Sequence, residues 1–324
     1  VNRLVIPAGL LLLVLAMLVA LGVGAVSIPV ADVWRALFGD GEAQVVAIVR
    51  DLRGPRVLLA ALVGAGLAVS GAALQGTLRN PLAEPYLLGV SGGAAVGAVV
   101  ALTVGLGAPT LVTLAAFGGA AVATGVVALL ARIAGGRAEP RLLLMAGVVV
   151  GAFANAVILV ALADAPPDRI RGALWWMMGS TADATWPAVA RTAIALLVFG
   201  GILVVRAREL DVLSLGEEPA VALGADVDRA ARTVFLVASW LAASTVAAVG
   251  LIGFVGLVVP NLARALGAHR HRALLVVSAV YGGTLLVAAD VAARSVRAPV
   301  ELPLGAVTAL VGVPFFLARL RRLA

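Results

Sequence analysis

The chain has 324 residues, 62% of them hydrophobic and only 13% charged, with a formal net charge of +7 and a mean hydropathy of +1.11. A soluble domain carries about 25% charged and about 45–50% apolar residues, so this is a membrane protein, with apolar residues enough for roughly ten spans at about 20 per span. All 24 basic residues are arginine and there is no cysteine, which excludes a P-loop lysine, a lysine Schiff base, disulfides and thiolate chemistry.

In chain order, apolar runs bounded by charge, Pro or Gly predict ten spans. They cover 4–26, 57–76, 86–106, 110–131, 142–163, 187–205, 233–250, 251–266, 273–293 and 302–317. The first exceeds the apolar core of a secretory signal and is read as a retained span. The eighth is short and holds Gly253, Gly256 and Pro260, which predicts a broken or partial span. With the N-terminus inside, fifteen arginines fall in inner segments and nine in outer ones, the bias expected of a cytoplasmic face. Both termini are then expected in the cytoplasm. Two halves of five spans would be inverted relative to each other, although no sequence repeat marks them.

Gly89, Gly93 and Gly97 form two GxxxG steps, and Gly64 with Ala68 and Gly66 with Ser70 are small-residue pairs. Such spacing lets helices approach closely in lipid, and packing is preferred here over a pore lining. Polar residues at depth are few: Ser70, Gln75, Asn155, Thr245 and Thr308 are too scattered for a proton relay or an ion filter, so a wide, mostly apolar passage fits better. Asp290 is the exception among ionisable groups. It is read either as the proton site of a secondary carrier or, preferred, as a structural acceptor near the outer end, paired with Arg294 at i+4. A membrane enzyme is the weakest class, because the spans lack paired carboxylates, histidines and metal clusters.

Three segments outside the apolar runs carry further signals. The outer stretch 164–186 holds Trp175, Trp176, Met177 and Met178; its first part is expected as an amphipathic helix over a pore mouth. Its aromatics are read as an interface belt or as contacts for a passing macrocycle or chelate. The inner segment 206–232 is polar, broken at Pro219 and Gly224, and long enough for two short amphipathic helices that form a docking surface for another protein. His269 and His271, two apart among arginines, are read as a solvated basic loop rather than a metal pair, since i and i+2 do not share a helix face.

The motifs then converge on one family. Arg53-x-Pro55-Arg56, Gly71-x-x-x-Gln75, Arg79-Asn80-Pro81-Leu82-Ala83-x-Pro85 and Leu88-Gly89 occur in that order. Leu215-Gly216-Glu217, Leu223-Gly224, Gly253-Phe254-x-Gly256-Leu257-x-x-Pro260, Glu301-Leu302-Pro303-x-Gly305 and Pro314-Phe315 follow. Together they cover nearly the whole chain, which resembles the FecCD family of ABC importer permeases for iron-siderophores, haem and vitamin B12.

The resemblance implies an all-α polytopic protein, a single permease domain over residues 1–324 with the type II ABC importer permease fold of about ten transmembrane helices per subunit. It implies a homodimer in the bacterial inner membrane, two cytoplasmic ATPase subunits that bind the ATP, an extracytoplasmic solute-binding protein, and neither a cofactor nor a nucleic-acid partner for the permease itself. Arg53, Arg56 and Arg294 are implied to meet carboxylates of the binding protein. Asn80 and Leu82 match a cytoplasmic gate. Leu215, Gly216, Glu217, Ala222, Leu223 and Gly224 match the coupling segment seated in the ATPase. A second gate element falls at Glu139-Pro140, where the chain departs from the small hydroxyl residues of the vitamin B12 permease. Iron-siderophore is the expected substrate, with haem and cobalamin behind it.

Overall fold

The structure is a computed structural model that describes residues 3–24, 26–135 and 140–320, and among these residues every regular element is a helix. Helix α1 (Val5–Gly22) leads into the short α2 (Val30–Leu37), whose Val33 and Ala36 are buried. Helix α3 (Ala43–Thr77) contains a π-helical turn at Ile48–Arg53. A 3₁₀ turn at Pro85–Leu88 precedes α4 (Val90–Thr103), α5 (Pro109–Gly135), α6 (Pro140–Ala163), α7 (Pro167–Met177) and α8 (Trp186–Val205). Two short helices, α9 (Ala207–Leu213) and α10 (Glu217–Ala222), lead to α11 (Val227–Val249), α12 (Val255–Ala265), α13 (His271–Ser295) and α14 (Leu304–Leu320).

Each predicted apolar run is one of these helices. Seven (α1, α3, α5, α6, α8, α11 and α13) are long and apolar enough to cross a membrane, and α4, α12 and residues 304–315 are shorter apolar helices. The eighth run is the eleven-residue α12, broken from α11 by a non-helical stretch at 250–254. The third run starts later than its apolar boundary, because Gly89 takes a positive φ of 80° and Val90 begins the helix.

Helix α3 is the axis of the bundle, and every residue from Val63 to Thr77 is buried. Its small residues make this possible. A Cβ at Gly64 would strike the Gly282 carbonyl of α13, and one at Gly71 would strike the Gly256 backbone of α12. Gly93 and Gly97 likewise lie against Gly119 and Ala115 of α5, so the GxxxG steps pack helices. The outer helices show the reverse pattern, with Leu114, Phe153, Leu159 and Val160 exposed, as side chains facing lipid are.

Three of the polar residues expected at depth are satisfied locally or across one helix contact: Ser70 donates to the Ala238 carbonyl, Thr245 to Ala242 and Thr308 to Gly305. The bundle has two ends. One carries Arg53, Arg56 and Arg294 (the arginine end); the other carries α9, α10 and the turn after α3 (the segment end).

Candidate functional site

At the segment end, α9 and α10 form the two short helices expected over 206–232, with the break between them at 214–216; Pro219, expected to be a break, lies inside the first turn of α10, where a proline costs no helical bond. Leu210 and Leu213 are buried against the bundle, while Leu215, Val221 and Leu223 are 59%, 59% and 65% exposed. Gly216, with φ 108° and ψ 169°, makes the corner between the two helices, a backbone region open to glycine. Glu217, Ala222 and Gly224 are exposed on the same segment. Beside it, a cleft of about 520 Å³ is lined by Arg206, Arg208 and Arg229 with Glu209 and Asp226. Arg206 pairs with Glu209 at 2.9 Å.

The turn after α3 packs next to this corner. The Asn80 N–H donates to the Gln75 carbonyl and the Arg79 N–H to Gly76, which closes the helix in a Schellman motif. Arg79 occupies the left-handed position usually given to glycine, with φ 49°. Its Nη1 comes within 3.8 Å of where a Gly216 side chain would begin. Asn80 Oδ1 accepts from the Leu82 N–H at 2.9 Å, and this Asx turn presents Leu82 at 41% exposure. The predicted gate and coupling motifs are therefore neighbours.

Helix α12 holds that turn from behind. Asn261 Nδ2 donates to the Pro81 carbonyl at 3.1 Å, and Glu84 accepts from the N–H of Phe254, the left-handed residue (φ 69°) that opens α12. Burial pushes the Glu84 carboxyl up to about 7, against the lowering effect of the Phe254 N–H. Gln75 Nε2 donates to the Gly256 carbonyl, and its Oε1 accepts from Arg264 at 2.6 Å. Glu84 stands at the unspecified position of the Ala83-x-Pro85 motif, and no local pattern marks Asn261 or Arg264.

The basic segment 269–272 differs from its sequence reading. His271 is 6% exposed and pairs with Asp211 of α9 at 2.7 Å, so it is not part of a solvated loop. The reason is tertiary: α9 folds back under α13 and brings a carboxylate to the ring. Among the described residues no group of His, Asp and Glu could hold a metal ion.

At the arginine end the structure brings Arg53, Arg56 and Arg294 together, with Arg56 and Arg294 on Asp290. Asp290 is 1% exposed; it accepts from Arg56 at 2.8 Å and from Thr181 at 2.6 Å, and lies 3.2 Å from Arg294 Nε. Arg56 also makes a two-point contact with Glu301, at 2.7 and 3.0 Å. Arg53 donates to the carbonyls of Leu21, Gly22 and Val26, and Arg294 to Ala20, so both clamp the end of α1. Arg53 and Arg294 are 8% and 7% exposed, and all three guanidiniums are engaged within the chain. Asp290 is thus saturated by cations and a hydroxyl, an arrangement that holds four segments together.

Helix α7 lies where the amphipathic helix was expected. Trp175 is 52% exposed, while Trp176 packs against buried residues of the bundle. An apolar groove of about 680 Å³ runs between α4, α5 and α6, lined by Val96, Val122, Val126, Val149 and Phe153. Asn155 is exposed on α6. Glu139 of the expected second gate element lies outside the described residues, as do both chain ends (residues 1–2 and 321–324), while Pro140 starts α6.

The helical bundle with this exposed two-helix segment has the fold of an ABC importer permease. A solved chain of a metal-chelate type ABC transporter in an inward-facing conformation superposes with a TM-score of 0.89 at 29% identity, over 98% of both chains. The cobalamin import system permease protein BtuC of Halobacterium salinarum is 44% identical over 288 residues, 88% of this chain and 76% of that protein. The Fe(3+)-citrate import system permease protein YfmE of Bacillus subtilis is 36% identical over 312 residues, covering 96% and 92%. The FecCD transport family matches residues 12–322, and the chain belongs to that family.

Proposed function

We propose that the chain is the permease subunit of an ABC importer that carries a metal chelate across the bacterial inner membrane. It works as a homodimer, with two ATPase subunits docked on residues 215–224 at the cytoplasmic face and a solute-binding protein at the arginine end. The observation that carries this reading is the exposed trio Leu215, Val221 and Leu223 around Gly216, set directly beside the Asn80–Leu82 turn through Arg79. Exposed apolar residues on a polar segment suit a protein partner. A chain without lysine needs that partner to bind ATP.

On this reading Leu215, Gly216, Glu217, Ala222, Leu223 and Gly224 contact the ATPase, and Asn80 and Leu82 form the gate. Arg53, Arg56 and Arg294 serve docking at the outer face. Because Arg56 is already held by Asp290 and Glu301, a carboxylate of the binding protein acts there by competing with Glu301, the more exposed partner at 35%. Iron-siderophore remains the first substrate reading. Cobalamin is the second, favoured by the relative at 44% identity.

The test is reconstitution in proteoliposomes with the ATPase and binding protein, with uptake followed for an iron-siderophore, haem and cobalamin. ATP-dependent uptake of one of them is expected. Uptake that persists without ATP, or that follows a pH gradient in the permease alone, overturns the proposal.

A further inference from the structure

We propose that Asp211 and His271 form a positioning joint that fixes the coupling segment to the gate, so that movement of α9 is delivered to the Asn80–Leu82 turn without slack. The inference rests on the coupling role given above to residues 206–232.

Asp211 Oδ1 accepts two bonds from one residue, the His271 backbone N–H at 2.8 Å and its ring at 2.7 Å. Nδ1 therefore carries the proton of the second bond. The first bond caps helix α13 from a distance. Its own N-cap residue, Arg270, makes no side-chain cap, and the carboxylate comes from a residue 60 positions earlier. A helix N-terminus attracts negative charge, so the start of α13 is tied to the coupling segment instead of to its own preceding loop.

The contact continues on the far side of the ring. His271 Nε2 lies so close to Gly76, at the end of α3, that a side chain there would collide with it. Leu210, beside Asp211 and fully buried, reaches the same glycine. The preceding residue, Gln75, bonds Gly256 and Arg264 of α12, and Asn261 of α12 bonds Pro81 in the gate turn. Each step is a short polar contact or a backbone approach, so α9, the start of α13, helix α12 and the end of α3 move as one body. Rigid elements of this kind transmit a displacement, whereas a solvated linker dissipates it.

The experiment uses the full importer in proteoliposomes and reads ATP hydrolysis, substrate uptake and their ratio for wild type, Asp211→Ala and Asp211→Asn. Asp211→Ala should hydrolyse ATP within about twofold of wild type while uptake falls about tenfold, which raises ATP used per substrate by a similar factor. Asp211→Asn keeps the carbonyl for the backbone N–H and should restore coupling. An unchanged ratio in Asp211→Ala overturns the joint, as does a parallel loss of hydrolysis and uptake in an assembled complex. Should Asp211→Ala not assemble, His271→Gln is read by the same criteria, since it keeps the backbone bond and removes the ring contact at Gly76. ATP-independent uptake by wild type would defeat the importer reading; ATP-driven uptake with a fully coupled Asp211→Ala defeats the joint alone.

Discussion

Asp290→Asn separates a buried ionic hub from a proton site. The substitution keeps the side-chain shape and an acceptor for Thr181 but removes the charge between Arg56 at 2.8 Å and Arg294 at 3.2 Å. At an effective dielectric of about 20, each contact is worth about 5–6 kcal/mol of gross attraction, much of it offset by desolvation. Removing one partner of a buried pair costs about 3–5 kcal/mol. Arg56 retains Glu301 and Arg294 retains the Ala20 carbonyl, which places the expected loss near the lower bound, about 3 kcal/mol. Glu301→Gln is the internal control: its side chain is 35% exposed, so solvent screens the pair and the loss should be about 1 kcal/mol or less. Unfolding in detergent, followed by the fluorescence of the five tryptophans, gives both values. A loss for Asp290→Asn no larger than for Glu301→Gln would refute the hub. Folded Asp290→Asn should also retain ATP-driven uptake; selective loss of transport at unchanged stability would restore the proton-site reading.

Two further outcomes follow from packing and burial. Gly71→Ala forces a Cβ into the Gly256 backbone and should destabilise by about 3 kcal/mol, at the upper end of overpacking effects; Gly118→Ala, where a Cβ meets nothing within 4 Å, should instead stabilise by about 0.5–1 kcal/mol. Equal effects at both sites would contradict the close α3–α12 contact. Glu84 sets a pH dependence: its carboxyl is raised from 4.5 to about 7, so between these values the folded chain holds a proton that the unfolded chain has released. Its contribution to stability is therefore greatest below pH 4.5, falls as pH rises to 7 by about 3 kcal/mol, and is level above that. Glu84→Gln should remove this slope from unfolding midpoints measured across pH 4–8, and an unchanged slope would count against it.

Much of the architecture was legible along the chain because the bilayer imposes a local rule. A span is a run of apolar residues of set length, and each of the ten runs became a helix. The break at Gly224 was legible for a related reason, since glycine suits positive φ, whereas the corner at Gly216 and the stop at Gly89 emerged only in the structure. Arg79 and Phe254 take the same conformation without that marker; bonds to Gln75, Gly76 and Glu84 hold them there. The arginine end shows the same limit. Its i,i+4 pair, Asp290 with Arg294, lies in one helix and was readable from spacing. The contacts that complete it, from Arg56 to Asp290 and Glu301, span 234 and 245 positions.

By itself, then, the sequence determined the ten apolar helices and which segments lie outside them, because those properties depend on side chains within about 20 residues of each other, whereas α2 and the start of α3 at Ala43 carried no such apolar run. Only the tertiary structure decided that Arg56 and Arg294 turn inward on Asp290 while Arg53 clamps the end of α1, that His271 leaves solvent for Asp211, and that the Asn80 turn and Gly216 become neighbours. Those outcomes depend on small residues on α3 bringing distant backbones into contact. The spacing of small residues marks a face for close approach but does not name the helix that meets it.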